Sequence, residues 1–138
     1  MAQFDKAARI PCKLSSDFFK YWLMFTQPLH KLTPKIIDVA ACILYHRHEL
    51  SKVITDETVL NKYLMSTEMR EKMMVELSIP QSNYHVAINK LKKARFLIDG
   101  NVNPRFIPNV KEGAKSFNFL LYFEFLDDEG ENIQTSSE

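Results

Sequence analysis

The sequence predicts a mainly helical domain that closes on a small β-hairpin, and three observations carry that prediction. Thr33-Pro34 opens a run in which Ile36, Ile37, Ala40, Ala41, Ile43 and Leu44 recur at helical spacing. Two further helical patterns are separated by little more than Ser78, Ile79 and Pro80, and a connection that short forces their axes to cross instead of lying side by side. Asp99-Gly100 then stands between short apolar runs, the dipeptide of a tight hairpin turn whose two central residues need positive φ. Helix, tight turn, helix and hairpin in that order make a winged helix-turn-helix, with the helix-turn-helix at about residues 66 to 95 and the wing at about 96 to 108.

Composition bounds the rest. A chain of 138 residues with 46% hydrophobic content can fill one compact core and is expected to be one domain. Three glycines are too few for the glycine-rich loops that cradle nucleotide phosphates. Cys12 and Cys42 fall outside any CxxC spacing and are expected to be reduced thiols. The chain opens without a basic-then-apolar leader, and its longest apolar stretch, residues 18 to 25, is far too short to span a bilayer. A cytoplasmic protein with no membrane partner is expected.

The formal net charge of +1 hides an uneven distribution. From Glu124 onward there are six acidic residues and no Lys or Arg, so residues 1 to 123 carry 18 basic against 11 acidic residues, a net +7. A basic surface supplies the sequence-independent part of DNA affinity through counterion release, and an acidic tail can compete for it or simply solubilise the chain.

Residues 1 to 14, interrupted by Pro11, are expected to form an N-terminal arm on a single domain of residues 15 to 126. Ser15 or Ser16 caps a helix through Phe18, Phe19, Trp22 and Phe25 that Pro28 stops. That helix is apolar nearly all round, which predicts either deep burial or a homodimer through Phe18, Phe19, Trp22 and Phe25. Threonine before proline makes the next helix start the clearest in the chain, and this helix should reach about Glu49. Thr55 is expected to cap a short helix from Asp56 to Leu64. Ser66 or Thr67 caps the one after it, whose Met69, Met73 and Leu77 keep one face on the core. Beyond the wing, Pro104 and Pro108 limit further pairing. Phe117, Phe119, Leu121, Phe123 and Phe125 alternate as one face of a strand at residues 117 to 125, and an acidic disordered tail is expected from 127 to 138.

On a helical wheel of about 100° per residue, Tyr84, Ala87, Ile88, Leu91 and Ala94 converge on one side of residues 81 to 95. Ser82, His85, Val86, Asn89 and Lys93 take the opposite side, flanked by Lys90 and Lys92. A recognition helix needs this division, with an apolar face to hold it and an outer face of groups that reach base edges. Asn89 suits a bidentate pair with adenine; Gln81, Ser82 and His85 near the helix start suit bases or phosphates. Lys90, Lys92, Lys93, Arg95 and Arg105, with Asn101 in the wing, collect where phosphates would lie on either side of a groove. Between residues 80 and 115 there are seven basic residues against two acidic. Lysines near a helix C-terminus also complement its dipole, so the basic cluster has a purely structural reading as well.

The run ELSIPQSNYHVAINKLKKARFLI, residues 76 to 98, resembles the helix-turn-helix of many winged-helix regulators and of plasmid or phage replication initiators. In that family a small and an apolar residue make the turn, a capping residue follows, and the helix closes on a basic pair before an apolar strand. Ser78 stands at the family's usual turn glycine, Pro80 at its usual serine or threonine cap, and Arg95 at the glycine that usually ends the helix. Residues 99 to 107, DGNVNPRFI, are similar to the wing and following Asn-Pro stretch of RepL-type replication initiators. The resemblance covers about residues 30 to 110 and extends in style to small winged-helix proteins of tailed phages, including crAss-like ones. It implies a regulator of transcription or an initiator of DNA replication bound to double-stranded DNA, in a bacterial host's cytoplasm if phage-encoded.

Other chemistries find little support. His46 and His48 lie near Glu49, but two residues apart on a helix they point about 200° from each other and do not share an ion, so no metal is expected there. They read instead, with Arg47, as cations at a helix C-terminus. Without paired carboxylates or a nucleophile with its base, no catalytic residue is assigned, no cofactor is expected, and the chain reads as a non-enzyme. The alternative is a winged-helix protein-interaction or virion-structural module, since fold does not determine function.

Overall fold

The computed structural model describes residues 5 to 127, so most of the expected acidic tail lies outside the described residues. The chain forms two compact units divided between Pro108 and Asn109. The first is mainly helical with a two-stranded antiparallel hairpin.

Residues 5 to 14 carry no helix or strand and are exposed throughout, an arm that buries none of its side chains. Helix α1 (Ser16–Phe25) begins where Ser15 Oγ accepts the Asp17 N–H at 3.2 Å. Pro28 does not simply end it. After Thr26 the chain turns into a short α2 (Gln27–His30) with Pro28 in its first turn, where a missing N–H costs nothing. His30 is buried; its Nε2–H donates to Leu23 O at 2.7 Å and its Nδ1 accepts the Leu32 N–H at 3.0 Å. Those partners require the neutral ring, and burial accordingly holds its pKa below the ordinary histidine value.

Helix α3 (Pro34–Ser51) is the centre of the unit. Every residue from 36 to 44 except Asp38 is buried, because α1, α4, α5 and α6 all pack on it. Helix α4 (Glu57–Leu64) is capped by Asp56, whose Oδ1 accepts the Val59 N–H at 3.0 Å, and not by the expected Thr55. A carboxylate at that position both caps the amides and suits the positive end of the helix. Helix α5 (Thr67–Leu77) is capped by Ser66 and buries Met69 and Met73. Helix α6 (Gln81–Lys93) follows after Ser78, Ile79 and Pro80. Strands β1 (Leu97–Ile98) and β2 (Asn101–Val102) pair antiparallel, Leu97 opposite Val102 and Ile98 opposite Asn101. Asp99 and Gly100 between them take φ of 53° and 80°, the conformation their sequence demands. A 3-10 turn at Pro104–Phe106 completes the unit.

Both α5 and α6 end the same way. Ser78 has φ 54°, and behind it the Ile79 N–H reaches Met74 O while the Ser78 N–H reaches Val75 O. Arg95 has φ 61°, with the Phe96 N–H on Leu91 O and the Arg95 N–H on Lys92 O. These are Schellman motifs, and Ser78 and Arg95 hold the conformation that glycine usually supplies at this position. A side chain in the left-handed region costs about 1–2 kcal/mol, part of which glycine gives back as unfolded-chain entropy. Ser78→Gly is therefore expected to stabilise the protein by about 0.5–1 kcal/mol, read as a higher urea midpoint; a lower midpoint would refute the strain assigned to Ser78.

The expected strand at residues 117 to 125 does not form. After a turn at Gly113 (φ 76°), the described backbone carries no strand over residues 117 to 125 and a single bridge residue at Leu126. Phe117 and Phe119 contact each other with ring centroids 6.0 Å apart, while Phe123 and Phe125 stay exposed. The division between Pro108 and Asn109 falls inside the single domain expected over residues 15 to 126. No described helix is long and apolar enough to cross a membrane.

Candidate nucleic-acid interface

The wheel of α6 is realised in its burial. Tyr84, Ala87 and Leu91 are buried and Ile88 and Ala94 half-buried against the core. Gln81, Ser82, His85, Val86, Asn89, Lys90, Lys92 and Lys93 are all exposed. Val86, 51% exposed, is an apolar group set among polar ones on the outer face. Gln81 and His85, one turn apart, lie within 3.3 Å through Nε2 of each. At the start of the helix Pro80 contributes its carbonyl, which accepts the Tyr84 N–H, but no side-chain cap. The first-turn amides therefore face outward without an internal acceptor.

At the other end of α6, Asn103 holds the junction with the hairpin. Its Nδ2 donates to Arg95 O at 2.9 Å, its backbone N–H donates to Phe96 O at 2.8 Å, and its Oδ1 accepts the Arg105 N–H at 3.0 Å. One side chain thus fixes the backbones of Arg95 and Arg105 beside each other. Sequence reasoning passed over Asn103 as a functional position, although asparagine before proline is a recognisable cap for a turn. Arg105 also lies 5.6 Å from the Phe106 ring centroid.

Asn101 does not join this group. Helix α6 contacts β1, β1 pairs with β2, and β2 contacts α4, so Asn101 lies on the strand beyond the one that meets α6. There it lines an open groove with Glu57, Asn61 and Lys62 of α4. Lys62 in the last turn of α4 adds a cation beside the hairpin that the sequence pattern did not single out.

What marks this face is the crowding of its cations. On the rest of the unit Lys20 pairs with Asp38 at 3.3 Å, Arg47 with Glu57 at 2.8 Å and Lys52 with Glu49 at 2.8 Å, while Lys31, Lys35, Lys62, Arg70 and Lys72 are dispersed and have no carboxylate within 4.0 Å among the described residues. Among the described residues, Lys90, Lys92, Lys93, Arg95 and Arg105 have no carboxylate within 4.0 Å. Five exposed cations without counter-charges are left at the end of α6 and the base of the hairpin.

Of the two options the sequence left for the α1 aromatics, burial holds for three of the four residues, and the reading of His46, Arg47 and His48 as helix-end cations is corrected. The aromatic residues assigned to a homodimer serve the protomer's own core: Phe19 is 2% exposed, Phe18 and Trp22 pack on the same cluster, and Trp22 Nε1–H donates to Phe106 O at 2.8 Å. Of the four, Phe25 is exposed. One side of the helix meets α3 and Trp22 meets Phe106 after the hairpin, while Tyr21, Met24 and Phe25 are exposed. His46, Arg47 and His48 are likewise not a stack of free cations at a helix end, since His46 is buried against Glu76, Arg47 pairs with Glu57, and His48 packs on Phe19 with centroids 5.8 Å apart.

No family model, curated protein or solved structure matches the chain.

Proposed function

We propose that the first unit is a winged helix-turn-helix that binds double-stranded DNA, as a regulator of transcription or an initiator of replication. The observation that carries this reading is the juxtaposition of an exposed, mainly polar α6 face with five clustered cations that lack counter-charges among the described residues. Thirteen residues make a helix of about 20 Å, long enough to lie in a major groove about 12 Å wide. Asn89, at the centre of the exposed face, pairs with adenine; Val86 meets a thymine methyl; Ser82 and His85 take bases or phosphates near the uncapped helix start. Lys90, Lys92, Lys93, Arg95 and Arg105 grip phosphates, and the Asp99-Gly100 turn with Asn101 approaches the flanking backbone or minor groove.

The test is enrichment of bound duplexes from a random-sequence library. The wild-type chain is expected to enrich a short motif, and Asn89→Ala to relax the preference at an adenine position by about 1–3 kcal/mol while leaving affinity for unrelated duplex nearly intact. Equal losses on every sequence would remove Asn89 from base reading. Absence of binding to any duplex would leave the fold as a protein-interaction module.

A further inference from the structure

Behind α6, three side chains from two helices meet in a way the DNA-binding reading does not use. Cys42 and His46 are one turn apart on α3, so both project from the same face of that helix. Glu76, in the last turn of α5, meets them: its Oε1 accepts the His46 Nε2–H at 2.8 Å and lies 3.8 Å from Cys42 Sγ. The sulfur, the imidazole nitrogen and a carboxylate oxygen all fall within 4.8 Å of one another. Cys42 and His46 are each 5% exposed, whereas the Glu76 side chain is 42% exposed, which leaves the cluster open on one side.

Glu76 Oε1 accepts from both the imidazole and the thiol, which turns three donor atoms toward a common point. A tetrahedral cation with bonds of about 2.0–2.1 Å to nitrogen and oxygen and about 2.3 Å to sulfur holds its ligand atoms about 3.3–3.8 Å apart, so the 3.8 Å between Cys42 and Glu76 already suits it and the 2.8 Å between His46 and Glu76 widens by about half an ångström. We propose that Cys42, His46 and Glu76 form a site for a borderline-soft divalent cation, Zn²⁺ above all, with a water in the fourth position on the Glu76 side. One thiolate, one imidazole and one carboxylate are the donor types such an ion takes, and they disfavour the hard cations Mg²⁺ and Ca²⁺.

Without an ion, burial and then the Glu76 charge push the Cys42 thiol up to about 12, so it stays protonated. Coordination releases that proton to water, the ion supplying the charge that stabilises the thiolate. An occupied site clamps α5 to α3. It also neighbours α6, whose buried Tyr84 belongs to the same core cluster as Cys42. The site stands whether or not α6 binds DNA.

Titration of the reduced, metal-free full chain with Co²⁺, a spectroscopic stand-in for Zn²⁺, tests it. A thiolate-to-cobalt charge-transfer band saturating at one equivalent and bleached by Zn²⁺ is expected. Cys12→Ser should keep the band, Cys42→Ala should abolish it, and Glu76→Gln should weaken Co²⁺ binding at least tenfold. Glu76 is half-exposed, so its variant keeps the test decisive even if Cys42→Ala fails to fold. No band in the wild type, a band that survives Cys42→Ala, or unchanged affinity in Glu76→Gln would overturn the proposal.

Discussion

Phe96→Ala is expected to destabilise the protein by about 3–5 kcal/mol, a large share of the roughly 5–15 kcal/mol that holds a domain together. Phe96 is fully buried, stacks on Phe106 with centroids 5.9 Å apart, and follows the left-handed Arg95 as the apolar residue that closes the α6 Schellman motif over Leu91. Its N–H and carbonyl tie it to Leu91 and Asn103. Through Phe106, whose carbonyl accepts from Trp22, the same cluster reaches α1. Removing the ring leaves a cavity where α6, the hairpin and α1 converge. Urea unfolding followed by circular dichroism should show a much lower midpoint with an unchanged slope. A loss below about 1 kcal/mol would mean that the junction is held by something other than Phe96.

Replacing Lys90, Lys92 and Lys93 together by alanine is expected to lower affinity for any duplex on the order of 100-fold near 0.15 M salt, and to reduce the slope of log K against log salt by about 2–3. All three are exposed in the last turn of α6, where each also interacts favourably with the helix dipole. The fold should survive, since that contribution is about 0.3–1 kcal/mol per lysine and none of the three packs in the core. A triple variant that stays folded and binds like wild type would assign the lysines to helix stability alone.

Much of this architecture is legible in the sequence because it rests on local rules. Thr33-Pro34, the two-sided wheel of α6 and Asp99-Gly100 each specify a backbone conformation within a few residues, and the structure has all three, although Thr33 starts its helix without a side-chain cap hydrogen bond. Local rules also mislead where two of them compete. Pro28 reads as a stop but serves as the first turn of another helix, and Asp56 outcompetes the neighbouring Thr55 as a cap. Period-two alternation at residues 117 to 125 says which side chains share a face, but a strand exists only if a second strand supplies hydrogen bonds. The apolar circumference of α1 likewise does not say whether its cover comes from another protomer or from Phe106, 84 residues from Trp22.

The candidate site divides in the same way. Exposure of the α6 face follows from helix periodicity, whereas the role of Asn103 depends on backbone groups on two separate elements. The i, i+4 spacing of Cys42 and His46 is readable on α3, but Glu76 enters only through the packing of α5. Ser78 and Arg95 are instructive for the resemblance to winged-helix proteins. Each stands where the winged-helix pattern has glycine, adopts the left-handed conformation and keeps both hydrogen bonds of the motif.

The most direct measurement is the affinity of the purified full chain for a duplex across a salt series. Five cations without counter-charges predict a linear fall of log K with log salt and a slope of about −4. Undetectable binding at low salt, or an affinity indifferent to salt, would contradict a phosphate-gripping role for the face formed by α6 and the hairpin.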